Sequence, residues 1–378
     1  MKKQEPAKFS LKDHLFNENK VRFLANQFSP VVPGFREVEF VRTVMKRLRP
    51  LELKQRIGLI AEVLIQHLDQ DFKNAAKQIV NALPPELDPH KSDDDFGDFI
   101  MAPLGEFVVR RGHSREHLAT SLKTLKEITK RFSMEDAIRA FINSHPEVTL
   151  RELAKWSRDR NYHVRRLVSE GTRPRLPWSG RLSIPYTTPL SFLDQLHADP
   201  TRYVTRSVAN HLNDISKIDP AVVIETLRRW RKLKRQELGE LEWMCRHALR
   251  TLVKQGHPQA MKFLGFQTTP RIKVENFELA TSVISPGESL EFSLTLTAAR
   301  PEAVIVDYVI DFVKANGSLA PKVFKAKTLE LQVGKSVIVC KRHPLLANAT
   351  TYRLYPGTHR LTIQINGTAA TSTTFEIR

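Results

Sequence analysis

Two hydrophobic periods divide the chain. Up to about residue 268, apolar residues recur three and four positions apart, the spacing of one helix face. Ile57, Ile60, Ala61, Leu64 and Leu68 form one such run. Leu150, Leu153 and Trp156 form another, and Val222, Val223, Leu227 and Trp230 a third. After Pro270 the period becomes two. Leu290, Phe292, Leu294 and Leu296 alternate with Glu291, Ser293 and Thr295. Val304, Val306, Tyr308, Ile310 and Phe312 do the same, as do Leu361, Ile363 and Ile365. Such alternation predicts strands with one buried face. Asn366-Gly367 separates the last run from Phe375–Ile377 and suits a two-residue hairpin turn. About seven short strands then read as an immunoglobulin-like antiparallel β-sandwich. Gly265–Pro270 marks the change, so residues 1–268 form a helical domain and residues 269–378 a β domain. The predicted class is multidomain α + β.

The helical half carries a repeat. Val164-Arg165-Arg166-Leu167-Val168-Ser169-Glu170 aligns with Val204-Thr205-Arg206-Ser207-Val208-Ala209-Asn210, and then with Met244-Cys245-Arg246-His247-Ala248-Leu249-Arg250. The offset is 40 residues each time. A period of this length in paired helices predicts an α-solenoid of HEAT-like repeats with one concave face. Arg166, Arg206 and Arg246 recur at one position and would form a ladder along that face. The alternative is that each is solvated or pairs locally, as Arg166 could with Glu170 one turn away.

Charge sharpens the picture. The chain of 378 residues has 59 Lys+Arg against 41 Asp+Glu, a net of +18. A surplus of that size favours a polyanionic partner, because binding nucleic acid releases condensed counterions. From residue 270 onward there are 13 basic and 9 acidic residues, so most of the surplus lies in the helical half. Residues 150–182 hold nine basic and three acidic side chains. The two cysteines, Cys245 and Cys340, have no metal-ligand spacing and predict no disulfide framework. A reducing compartment, the bacterial cytosol, is expected. Met1–Pro6 has no apolar stretch behind it, so no secretory signal is expected. No apolar run has the length of a membrane span.

Within the basic stretch, His163–Trp178 concentrates the candidate chemistry. A short helix carries Arg165, Arg166 and Glu170, and Gly171 is expected to stop it. Arg173 and Arg175 flank Pro174, and Trp178 closes the run. A carboxylate in the last turn opposes the helix dipole by about 0.3–1 kcal/mol. Either the arginines alone favour Glu170 there, or its charge is aimed at a ligand cation. Glu135 follows Ser133 and Met134 in a helix start, with Ser133 as expected N-cap. On that reading Glu135 is simply a favourable first-turn acid. Trp178, on a proline-stiffened loop, could stack on a base or pack between repeats. Trp156, Trp230 and Trp243 are expected in the core. Asp93-Asp94-Asp95 reads as a solvated charge run, since it lacks the glycine and terminal glutamate of a calcium loop. No metal and no nucleotide cofactor is expected.

His163–Trp178, with Arg151–Trp156, Ser207–Asp214, Pro103–Val108, Lys12–His14 and Arg246–Arg250, resembles the AlkC branch of the HEAT-like alkylbase DNA glycosylases, the AlkC/AlkD superfamily. The resemblance spans residues 10–267, and the β-rich tail is similar to the C-terminal immunoglobulin-like module of some members. It implies hydrolysis of the N-glycosidic bond of cationic bases, 3-methyladenine and 3-methylcytosine, in duplex DNA without base flipping. It further implies that Glu135, Glu170 and Trp178 form the catalytic set. His163, Arg165, Arg166, Arg173, Arg175, Arg206 and Arg246 would then hold the DNA of a monomeric enzyme. The rival expectation is a basic HEAT-repeat scaffold that binds DNA without chemistry. Acids inside a phosphate groove speak against it.

Overall fold

The computed structural model describes residues 10–93, 96–347, 349 and 353–378. Its helices are α1 (Leu11–Leu15), α2 (Glu18–Phe28), α3 (Glu37–Leu48), α4 (Leu53–His67), α5 (Phe72–Asn81), α6 (Ala102–Gly112), α7 (Leu118–Thr129) and α8 (Glu135–Ser144). They continue as α9 (Pro146–Trp156), α10 (Tyr162–Gly171), α11 (Leu190–Leu196), α12 (Arg202–Ser216), α13 (Pro220–Leu233), α14 (Leu238–Ala248), α15 (Arg250–Lys254) and α16 (Pro258–Phe263). The strands are β1 (Ile272–Leu279), β2 (Val283–Ile284), β3 (Ser289–Ala298), β4 (Glu302–Val313), β5 (Leu319–Leu331), β6 (Ser336–Pro344), β7 (Gly357–Ile365) and β8 (Thr368–Ile377). A helical region followed by an immunoglobulin-like sandwich is thus the architecture. Two compact units gather from these elements. One holds the described residues up to Asp214 with Lys232–Met244; the other holds Ile215–Arg231 with Cys245–Arg378.

In the first unit, α4 packs on α6, α6 on α8 and α8 on α10, while α5 packs on α7, and α9 on α8 and α10. Each helix buries one apolar stripe. Ile60, Ala61 and Leu64 are fully buried on α4, and Ile138, Phe141 and Ile142 on α8. This is how helical repeats share a continuous core. Ile57, on the same predicted face as Ile60, instead lines a cavity. Trp156 is buried as expected. Trp243 is only half-buried, and the Arg202 guanidinium lies 4.0 Å above its ring.

In the second unit, the sheets run β1-β3-β6 and β2-β8-β7-β4-β5. The alternating residues of β3, β4 and β7 point into one shared core, where Leu290, Leu296, Val306, Ile310 and Leu361 are buried. Trp230 is also buried in this unit. Eight strands are described where about seven were predicted. The addition is β2, two residues long and parallel to β8. Asn366-Gly367 forms the predicted β7–β8 turn, with φ of 50° and 79°, both left-handed as a type I′ turn requires. Asn366 also accepts a hydrogen bond from the Ile305 N–H at 2.8 Å and donates to the Gln267 carbonyl at 2.9 Å. Glycine is needed beside it, since a Cβ on Gly367 would lie 2.1 Å from the Gly256 Cα.

Candidate active site

A cavity of about 600 Å³ opens in the first unit among α4, α6, α8 and the loop after α10. Leu53, Ile57, Phe99, Phe132 and Met134 make its walls apolar, and the exposed rings of Phe96 and Trp178 stand at its lining. Glu135, the first residue of α8, enters this apolar space with its side chain 29% exposed. Its Oε2 accepts hydrogen bonds from Ser133 Oγ and Arg166 Nη1, both at 2.8 Å. Ser133 is therefore not the N-cap expected from sequence. Met134 occupies that position, and the Ser133 hydroxyl is used on the carboxylate rather than on a backbone N–H.

Behind Glu135, charges alternate into the core. Arg166 lies between Glu135 and Glu170, its Nη2 3.6 Å from Glu170 Oε2. The Tyr203 ring covers the same guanidinium at 4.6 Å. Burial alone would lower the Arg166 pKa, but the two carboxylates raise it well above its ordinary value. Glu170 is 4% exposed. It accepts from Arg173 Nη1 at 2.5 Å and from Ser207 Oγ at 2.6 Å. Burial pushes the Glu170 carboxyl up; the charges of Arg166 and Arg173, then the Ser207 hydrogen bond, outweigh it and hold the group ionised. Arg173 in turn donates from Nε to Asp214 Oδ2 at 2.9 Å. The sequence of charges is Asp214, Arg173, Glu170, Arg166, Glu135, and only Arg166 and Glu135 of the five line the cavity. Such a buried row adds little net stability, but it fixes geometry, and each member is costly to remove alone.

Helix α10 ends at Gly171 as expected, but not through a left-handed glycine turn. Gly171 is its last residue, Thr172 is the C-cap, and Gly171 has no left-handed φ. Glycine is required for packing instead, since a Cβ there would lie 2.5 Å from Ile138 Cγ2 on α8. That approach brings Glu170 and Glu135 together. Arg139 on α8 then binds the chain leaving α10. Its guanidinium donates to the carbonyls of Gly171 at 3.1 Å, Arg173 at 2.8 Å and Gly180 at 2.7 Å. These bonds fix the loop on which Trp178 sits with φ of 65°, a strained value for a bulky residue.

The solved structure of Pseudomonas fluorescens alkylpurine DNA glycosylase AlkC, bound to DNA containing an abasic site analog, is similar throughout. The TM-score is 0.87 at 33% identity, covering 98% of this chain and 100% of that one. The chain belongs to the AlkC family. Uncharacterized protein YhaZ of Bacillus subtilis (strain 168) is 32% identical over 369 residues, 96% of this chain and 98% of that protein. Residues 273–378 match the family described as the C-terminal Ig-like domain of YhaZ.

In this AlkC-family chain the residues singled out from sequence fall into three groups. Glu135, Trp178 and Arg166 line the cavity, and Glu170 lies one guanidinium behind it. Four others are engaged by the protein itself. Arg165 forms a two-point bridge with Asp199 at 2.5 and 3.0 Å. Arg173 is held by Glu170 and Asp214. Arg206 pairs with Asp93 at 2.6 Å, so Asp93 is not merely solvated; Asp94 and Asp95 lie outside the described residues. His163 is 4% exposed, with its ring centroid 4.1 Å from that of Tyr162. Burial and then the Arg166 charge push its pKa down to about 4, so it is neutral at pH 7. Arg175 and Arg246 are exposed; Arg246 belongs to the second unit. Sequence reasoning gave no role in the site to Tyr203, Ser207, Asp214 or Arg139. The 40-residue repeat contained one usable signal, since it aligns Tyr203 with His163.

No described helix is long and apolar enough to cross a membrane.

Proposed function

We propose that this chain is a DNA N-glycosylase that hydrolyses the N-glycosidic bond of cationic alkylated bases, 3-methyladenine and 3-methylcytosine, in duplex DNA. The observation that carries the reading is Glu135, a carboxylate held by Arg166 and Ser133 inside an aromatic-lined cavity. A base already carrying positive charge leaves without protonation. The remaining task is to stabilise the cationic sugar that develops and to position a water. A preorganised carboxylate in a partly dry site does both, lowering the barrier by several kcal/mol. Glu135 meets the sugar and the water. Glu170 fixes the Arg166–Glu135 pair from behind, and Trp178 contacts the sugar or the lesion face. Exposed Arg175 and Arg246 suit phosphates better than Arg165, Arg173 and Arg206, whose guanidiniums are engaged by carboxylates. The lesion stays in the duplex, and the enzyme acts as a monomer on the nucleoid in the cytosol. The likeness to AlkC across both units supports this reading.

The test is release of free methylated base from alkylated duplex DNA in buffer containing a chelator. The enzyme is expected to release 3-methyladenine there. A scaffold releases none.

A further inference from the structure

The row of charges behind the cavity ends on α12, at residues that no expectation about the reaction included. We infer that Asp214 and Ser207 are positioning residues for the glycosylase proposed above, acting on Glu135 through Glu170 and Arg166. The inference rests on that reading of the cavity. Asp214 does not line the cavity; its Oδ2 accepts from Arg173 Nε at 2.9 Å and lies 2.8 Å from Arg173 Nη2. Ser207 occupies the Glu170 oxygen that faces Arg166, donating to Oε2 at 2.6 Å. Arg173 occupies the other, Oε1, at 2.5 Å. Both Glu170 oxygens are thus assigned by residues outside the cavity.

The charge order gives Asp214 its role. Arg173 stands between two carboxylates, as Arg166 does. With the Asp214 side chain in place, Arg173 divides its charge, and Glu170 keeps negative charge to set against Arg166. Without that carboxylate, Arg173 turns wholly to Glu170. Arg166 then turns wholly to Glu135 and cancels more of the charge that the cavity presents. A cation developing in the cavity is stabilised less, whereas a duplex bound by its phosphates is held as before. His211 adds no charge to this row. It is fully buried, its Nδ1 lies 3.0 Å from the Ser169 carbonyl, and burial pushes its pKa down to about 3.

Asp214→Asn keeps the shape and removes the charge. Its single-turnover rate on methylated duplex is expected to fall about tenfold or more, with affinity for an abasic-analog duplex within about twofold of the parent. Asp214→Glu, which restores the carboxylate, is expected to recover most of that loss. A wild-type rate in Asp214→Asn overturns the inference. So does a parallel loss of rate and DNA affinity in both variants, which marks a purely structural role. If Asp214→Asn does not fold, Ser207→Ala decides. A several-fold slower rate with unchanged affinity supports the inference, and a wild-type rate overturns it. A parent protein that releases no base from any alkylated duplex defeats the glycosylase reading itself, a result distinct from either variant outcome.

Discussion

The two glutamates named together from sequence occupy different electrostatic positions. Glu170 is buried between two guanidiniums and a hydroxyl, whereas Glu135 is partly open to the cavity. Removing one partner of a buried pair leaves uncompensated charge and costs about 3–5 kcal/mol. Glu170→Gln is therefore expected to lose both activity and stability, with a Tm several degrees below the parent by differential scanning calorimetry. Glu135→Gln removes a carboxylate that is partly open to the cavity, and its Tm is expected to fall by less. Equal Tm values in both variants contradict this division. The candidate chemistry was legible where residue type conflicted with context: a carboxylate at a helix C-terminus, and a tryptophan between prolines and glycine. Ser207 and Asp214 lay beyond reach. Their partners are 37 and 41 residues away, and no periodicity reports which oxygen a hydroxyl meets.

The elements follow the same logic. β3 and β7 were legible because one face of each is buried and the other bears polar residues, so the period of two survives in the sequence; β4 is buried on both faces, and only Asp307 and Asp311 mark its period among Ile305 and Val309. β1 and β5 carry register shifts, and β6 exposes Ile338, so their alternation is blurred. The end of α10 falls at Gly171 as expected, but the glycine serves a helix contact, not a turn. Helices α10 and α12 also give the fold an acid limit. His163 and His211 have folded pKa values of about 4 and about 3, below the unfolded value near 6.5. Below pH 6.5 the unfolded chain therefore binds protons that the folded chain refuses, and stability falls with pH. Above pH 6.5 these groups contribute nothing to the slope. His163 alone accounts for about 2 kcal/mol lost at pH 5. Thermal unfolding is expected to show Tm dropping from pH 7 to pH 5, and dropping less in His163→Phe. An equal drop in both proteins contradicts the assignment.

Across the whole molecule, charge and chemistry separate. The net of +18 is a general invitation to a polyanion, and by itself it fits a scaffold as well as an enzyme. Yet three of the four arginines within His163–Trp178 face carboxylates rather than solvent: Arg165 with Asp199, Arg166 with Glu135, Arg173 with Glu170. That pairing turns a basic segment into a site able to meet a cation, the feature a phosphate binder lacks. The most direct test compares the parent and Glu135→Gln in single-turnover release of 3-methyladenine, with affinity for an abasic-analog duplex measured alongside. The account predicts a loss of about a hundredfold or more in rate at near-parental affinity. Release at the parental rate by Glu135→Gln contradicts it.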